Sequence, residues 1–437
     1  MSPERPASSL MRSLRVALCA ATLCGVVSHA EAATQEELEA KVQSLADQLQ
    51  ALQRELAELK QQRESAAAAP ATSALPVAAA AATPETAAGG PTWFGYGELN
   101  YTRPRENAAD TTADIARFVL GAGYRFDEHT RFASELEIEH SVSSASDPGE
   151  VEVEQAYLER DFAHGITGRA GLFLIPSGML NENHEPTRYY GVFRNFVETA
   201  IIPSTWREGG ITVQGNTAGG LRWDVGVSTG FDLSKWDASS EGEGLESPLG
   251  SIHQELALAK ARDLSGFAAI NYTGVPGWCV GASIFSGGAS QGQPGLPSAS
   301  VTLWEGHTRW TPDRWDLSAL YARGSITGTR EINTTLVGNP LLIPKEFFGW
   351  YVQAAYRALD NGSASLAPFV RYERFNTASD YADIGLGLTP AARPDLKAWT
   401  GGLNWNLVPG VVVKADYVDF QDGPVGDRFD LGIGYQF

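Results

Sequence analysis

Charged side chains carry most of the chemistry this sequence offers. Arg117, Arg125, Arg131, Arg169 and Arg371 fall on the polar side of segments in which polar and apolar residues alternate. Glu182, Glu185, Arg188, Arg194, Glu198 and Arg207 punctuate a connection, 176–207, that is rich in apolar residues for its length. Fixed charges of both signs govern which ions and polar solutes a water-filled space accepts. Bond-making groups are scarcer. Of seven His, His184 in Asn183-His184-Glu185-Pro186 stands in a motif-like setting, and no G-x-S-x-G or H-E-x-x-H occurs. A rim-located hydrolase is therefore an alternative without a motif to carry it. Cys19 and Cys24 lie in the N-terminal apolar run, which leaves Cys279. One thiol closes neither an intrachain disulfide nor a four-ligand zinc site. No residue pattern calls for a cofactor or a metal.

Positioning such charges requires elements with two distinct faces. Leu221, Trp223, Val225 and Val227 alternate with Arg222, Asp224, Gly226 and Ser228, and the segment ending at Phe437 repeats the pattern. A period of two means a sheet with one apolar and one polar side. Sixteen such segments are expected near 92–102, 113–126, 130–142, 151–162, 166–175, 208–216, 221–231, 266–273, 278–286, 299–310, 314–324, 346–359, 365–375, 396–406, 410–420 and 427–437. Even-numbered connections are short and turn-like, as in Gly274-Val275-Pro276-Gly277; odd-numbered ones, such as 176–207 and 232–265, are mostly long. Sorting by parity is the signature of an antiparallel transmembrane β-barrel, with turns on one side of the membrane and loops on the other. A soluble sandwich has no reason to sort its loops this way. Trp93, Tyr124, Phe126, Trp278, Trp310, Trp315, Trp405 and Tyr435 lie near strand ends, where aromatic girdles meet the lipid–water boundary.

Composition agrees with this reading. Charged residues make up 19% of the chain, below the soluble norm of about 25%. No run of 18 apolar residues follows the N-terminal segment, which excludes a helical membrane protein. A net charge of −19 argues against nucleic acid as a partner. Residues 1–32 read as a signal peptide: arginines precede the run from Leu14 to Val27, and Ala30-Glu31-Ala32 fits a cleavage site. Within 33–64, Leu38, Val42, Leu45, Leu49, Leu52, Leu56 and Leu59 follow a and d positions, predicting a short self-associating coiled-coil helix in the periplasm. Residues 65–91 are Ala/Pro/Thr-rich and read as a linker to the barrel of 92–437.

The 176–207 connection carries Met179, Leu180, Tyr189, Tyr190, Val192, Phe193, Phe196, Ile201, Ile202 and Trp206. An exposed loop would be polar, so this one is expected to fold into the barrel lumen and narrow it. Here a resemblance appears. Gly168-Arg-Ala-Gly-Leu-Phe-Leu-Ile-Pro-Ser-Gly178, Asn183-His184-Glu185-Pro186, Tyr190-Gly191 and Ile201-Ile-Pro-Ser-Thr-Trp-Arg-Glu-Gly-Gly210 resemble the porins of the phosphate-selective porin O and P family. The resemblance implies a homotrimeric sixteen-stranded outer-membrane channel with its third loop inside. The chain departs from the phosphate-selective pattern in having no Lys in that loop.

The charges named at the outset are then expected to form a constriction with basic and acidic walls. It would pass small polar or anionic solutes and inorganic ions, with weak anion preference. Lipid bilayer and lipopolysaccharide are the expected surroundings. Two other readings stay open: a structural tether contacting peptidoglycan through the coiled coil, and a substrate-specific channel.

Overall fold

The computed structural model describes residues 90–437, apart from Ala145, Leu386 and 423–425, together with Gln43 and Arg54. The signal-peptide, coiled-coil and linker expectations lie outside the described residues. Sixteen long strands form one closed antiparallel sheet: β1 (Thr92–Pro104), β2 (Thr112–Arg125), β3 (Thr130–Glu139), β4 (Val151–Asp161), β5 (Ile166–Leu174), β6 (Arg207–Asn216), β7 (Leu221–Ser228), β8 (Ser265–Val275), β9 (Trp278–Gly288), β10 (Ser300–Trp310), β11 (Trp315–Ile326), β12 (Glu346–Tyr356), β14 (Ser365–Asp380), β15 (Leu396–Val408), β16 (Val411–Asp422) and β17 (Arg428–Gln436). The seventeenth, β13 (Leu359–Asp360), is a two-residue ladder within the turn between β12 and β14. Each strand pairs with its neighbour in sequence, and β1 closes the ring on β17 in the register Tyr96↔Gln436 to Pro104↔Arg428.

Burial is inverted relative to a soluble protein. Leu120, Leu158, Ile211, Val225, Val280, Val370 and Leu431 are exposed on the outer face, while Glu137, Arg169, Asp224, Glu305, Glu373 and Asp430 are buried inside. Alternation along each strand makes this possible, since successive side chains point to opposite faces. An outer face of this kind suits acyl chains and a polar inner face suits water. Trp93, Phe126, Phe162, Trp278, Trp310, Trp315 and Trp405 are exposed at the short-turn rim, forming an aromatic row there.

The connections keep the expected parity. Two of the short ones are Pro-Gly turns in which Gly277 and Gly410 adopt φ of 74° and 84°; Pro presets its own φ and Gly takes the left-handed position. At another, Asp127 Oδ1 accepts from the backbone N–H groups of His129 (2.8 Å) and Thr130 (2.7 Å). Strand limits differ from expectation where the backbone turns early. β3 stops at Glu139 because His140 and Ser141 take positive φ. β7 stops at Ser228, and the chain then carries Phe231 and Leu233 to buried positions.

A hydrophobic core occupies part of the barrel interior. Phe267, Phe285, Leu303, Leu320 and Phe347 on the wall meet Val197, Ile201, Ile202 and Trp206 of the third loop. Phe231, Leu249 and Ile252 of the β7–β8 connection join the same cluster. Trp206 lies between Phe231 and Phe285, with ring centroids 5.4 Å and 4.5 Å away. The β7–β8 connection is secured by Asp232, which accepts from Lys260 Nζ at 2.9 Å and Ser234 Oγ at 2.7 Å. Burial raises the Asp232 pKa, but these bonds outweigh it and hold the carboxyl below its ordinary value.

Candidate functional site

The third loop is held as a single piece by two side chains of its own. At its neck, Asn181 Nδ2 donates to the carbonyls of Ile175 (2.7 Å) and Trp206 (2.8 Å), and its Oδ1 accepts from Trp206 N (2.7 Å). Across its arms, Glu198 Oε2 accepts from the backbone N–H groups of Met179 and Leu180, both at 2.7 Å. Its other oxygen accepts from Asn195 Nδ2 (3.0 Å) and from Tyr351 of β12 (2.9 Å). Gly178 is required beside this clamp: it has φ of 74°, and a Cβ there would meet Glu198 Oε2 at 2.5 Å.

The barrel wall then grips the loop backbone. Val192 N donates to Asp416 at 2.5 Å, Phe196 N to Glu373 at 2.7 Å, and Gly191 N to Asn404 at 3.1 Å. Asn404 returns a bond to Tyr189 O at 2.9 Å. Tyr189 donates its hydroxyl to Glu98 at 2.8 Å, and Lys414 stands 3.5 Å above its ring. A lumen built this way satisfies irregular backbone with wall carboxylates and amides rather than with water.

The residues singled out in the sequence divide into three groups. Arg117 and Arg371 join wall to loop. Arg117 pairs with Glu98 (2.8 Å) and donates to His184 O (2.5 Å); Arg371 pairs with Glu373 (2.8 Å) and donates to Tyr190 O (3.1 Å). Arg125, Arg131 and Arg169 sit elsewhere. Arg125 is exposed beside the 126–129 turn, Arg131 pairs with Glu159 and Asp161, and Arg169 donates to Glu159 Oε2 from both Nε and Nη2. Arg207 is the first residue of β6 rather than part of the loop, and pairs with Glu152 and Glu255. Within the loop, Arg194 donates to Thr205 Oγ1 at 3.0 Å. Glu198, buried in the clamp, braces the loop.

The remaining loop charges border open space. A cavity of about 420 Å³ lies between the loop and the β8–β14 wall, bordered by Glu182, Arg188 and Tyr190 on one side and His307, Arg309 and Arg371 on the other. Glu182 is paired to Arg222 at 3.0 Å, and Arg309 to Asp316 at 2.6 Å. The Arg188 side chain is 44% exposed, and its ion-pair partner Glu185 stands 4.0 Å away. Arg188 is thus a cationic head only loosely compensated at the edge of the cavity. Arg309, Lys414, Asp416 and Glu373 carry no sign in the sequence beyond the strand parity that puts them on the polar face, and Arg222 shows only its place in the alternation of 221–228. What identifies them is their contact with the loop or the cavity.

No family model matches the chain. An uncharacterized protein of Aquifex aeolicus (strain VF5) is 31% identical over 355 residues, covering 78% of this chain and 79% of its own. Among solved structures, OmpF of Salmonella typhi in complex with daunomycin aligns with a TM-score of 0.55 at 14% identity, over 79% of this chain and 97% of OmpF. The anion-selective porin from Comamonas acidovorans aligns with a TM-score of 0.51 at 13% identity, over 80% of this chain and 99% of its own. At such identities the likeness to solved structures is one of fold. The chain belongs to one family with the Aquifex aeolicus protein, and its fold is the sixteen-stranded barrel of the porins.

Proposed function

We propose that the protein is an outer-membrane diffusion channel for small polar and anionic solutes and ions, narrowed by its third loop. The observation that carries this reading is the inverted burial combined with a loop gripped inside the lumen, which leaves a charged cavity of about 420 Å³ beside it. Arg188, Arg309 and Arg371 supply basic groups to that passage, and Glu182 supplies an acidic one. Ion preference follows charges at a constriction rather than the net charge of the chain. Glu185 borders a smaller cavity beside the loop, while Arg117 and Arg194 brace wall and loop behind the lining, and the channel works as a homotrimer embedded in lipid and lipopolysaccharide.

Planar-bilayer recording of the purified protein tests the proposal. Stable conductance steps with reversal potentials of weak anion preference are expected. Absence of conductance, or strong cation selectivity, overturns it. The loop motifs that resemble the phosphate-selective porins make inorganic phosphate the first solute to try as a blocker. The heptads of 38–59 favour a second role, in which the periplasmic helix sets the assembly state or contacts peptidoglycan.

A further inference from the structure

We propose that Glu135, Glu154 and His184 form a binding site for a divalent transition-metal cation of the zinc type, which pins the third loop to the β3–β4 wall. The site stands apart from the cavity on the other side of the loop and does not depend on whether the barrel conducts. Candidate ligand atoms of the three residues lie within 4.8 Å of one another. All three are buried, Glu154 completely.

The backbone assembles the site through an irregularity. Glu135 pairs with Gln155 and Leu136 with Val153, so Glu154 is the extra residue of a β-bulge. A bulge re-aims a side chain that regular alternation would place elsewhere. Here Glu154 comes in beside Glu135, which is itself held by Gln155 Nε2 at 2.8 Å. His184 arrives from the loop with Nδ1 against the carbonyl of Asn181 at 2.8 Å. A carbonyl at that nitrogen holds its proton and turns the other nitrogen outward, the second-shell arrangement usual for metal-ligating histidines.

Donor counting leaves a gap that a cation fills. His184 Nε2 lies 2.9 Å from Glu154 Oε1 and 2.7 Å from the Tyr96 hydroxyl. Tyr96 donates its proton to Glu154 Oε2 at 3.0 Å. Glu154 Oε1 receives no hydrogen bond among the described residues, although it is fully buried. In the tautomer that Asn181 selects, Nε2 carries no proton, and the single Tyr96 hydroxyl proton is shared between it and Glu154 Oε2, so Glu154 Oε1 faces the imidazole nitrogen with no proton between them. Two ligands bound at about 2.0–2.1 Å in a tetrahedral zinc site stand roughly 3.3 Å apart, so the 2.9 Å pair has to part by only a few tenths of an ångström to take an ion. One imidazole and two carboxylates suit zinc and its divalent neighbours, and a cavity of about 50 Å³ adjoins Glu135 and His184. The competing arrangement is a second proton on His184, giving an imidazolium–carboxylate pair with no metal.

The test uses the full chain in detergent micelles, stripped with chelator and titrated with Zn²⁺ alone by calorimetry, with elemental analysis after gel filtration. About one Zn²⁺ per chain is expected, and Co²⁺ should give an absorption band of mixed nitrogen and oxygen ligation. Glu154→Gln and His184→Gln should each weaken binding by more than about 100-fold, and Glu135→Gln by about 10–100-fold. Heat-modifiable migration on gels identifies which variants retain the folded barrel, and any one folded variant suffices for the comparison. Failure of the wild-type chain to retain Zn²⁺, or equal retention by a folded variant, overturns the site and leaves the ion pair.

Discussion

Arg188 and Arg125 carry the same charge in different surroundings, and the difference decides what each can do. Arg188 stands at the edge of the loop cavity, with its partner carboxylate 4.0 Å away. Arg125 lies exposed beside a short turn, where Nη1 reaches Glu128 O at 3.4 Å. Salt screens an exposed charge over about 8 Å at physiological ionic strength, so a rim residue contributes little field to a passage deeper in the lumen. Arg188→Glu is expected to move the reversal potential toward cations in a salt gradient, whereas Arg125→Glu should move it far less. Equal shifts from both variants would mean that the rim, not the loop, sets ion preference.

The third loop behaves as an element with its own clamp, its own apolar core and a ring of wall contacts. Its clamp can be loosened without touching the strands. Glu198 uses both oxygens as acceptors for two backbone N–H groups, an amide and a hydroxyl. Gln in its place keeps one oxygen and turns a donor toward two others. The expected cost is about 2–4 kcal/mol, from lost charge-assisted bonds and newly unsatisfied buried groups. Glu198→Gln should therefore leave the barrel resistant to detergent while trypsin cuts faster after Arg188 and Arg194. A wild-type digestion rate would show that the neck at Asn181 and the apolar core around Trp206 hold the loop unaided.

For the molecule as a whole, closure of the sheet removes every open edge, and neither β1 nor β17 needs another chain to complete it. The barrel should accordingly insert and conduct when residues 36–64 are deleted. Under the proposed role of the heptad segment in association, the deletion should lower the cross-linked oligomer or the fraction of protein retained on isolated peptidoglycan. Single-channel recording checks the first expectation and sedimentation with cell-wall sacculi the second. Loss of conductance on deletion would make the helix part of the pore rather than an attachment.

The barrel was legible in the linear chain because strand direction repeats every two residues and turn chemistry is local. Leu221 to Ser228 displays its faces unaided, and Pro276-Gly277 marks its turn without reference to anything distant. The inward course of 176–207 followed from its apolar content, which needed a surface to cover. Pairing was not legible. Val192 meets Asp416 across 224 residues, Glu198 proved to be a brace inside the loop, and the second inward connection, through Phe231 and Ile252, gave no comparable sign. Glu154 reached Glu135 and His184 through a bulge that alternation alone does not reveal. Such meetings depend on register and closure between distant segments, and a charge acquires its role from the partner that folding brings to it.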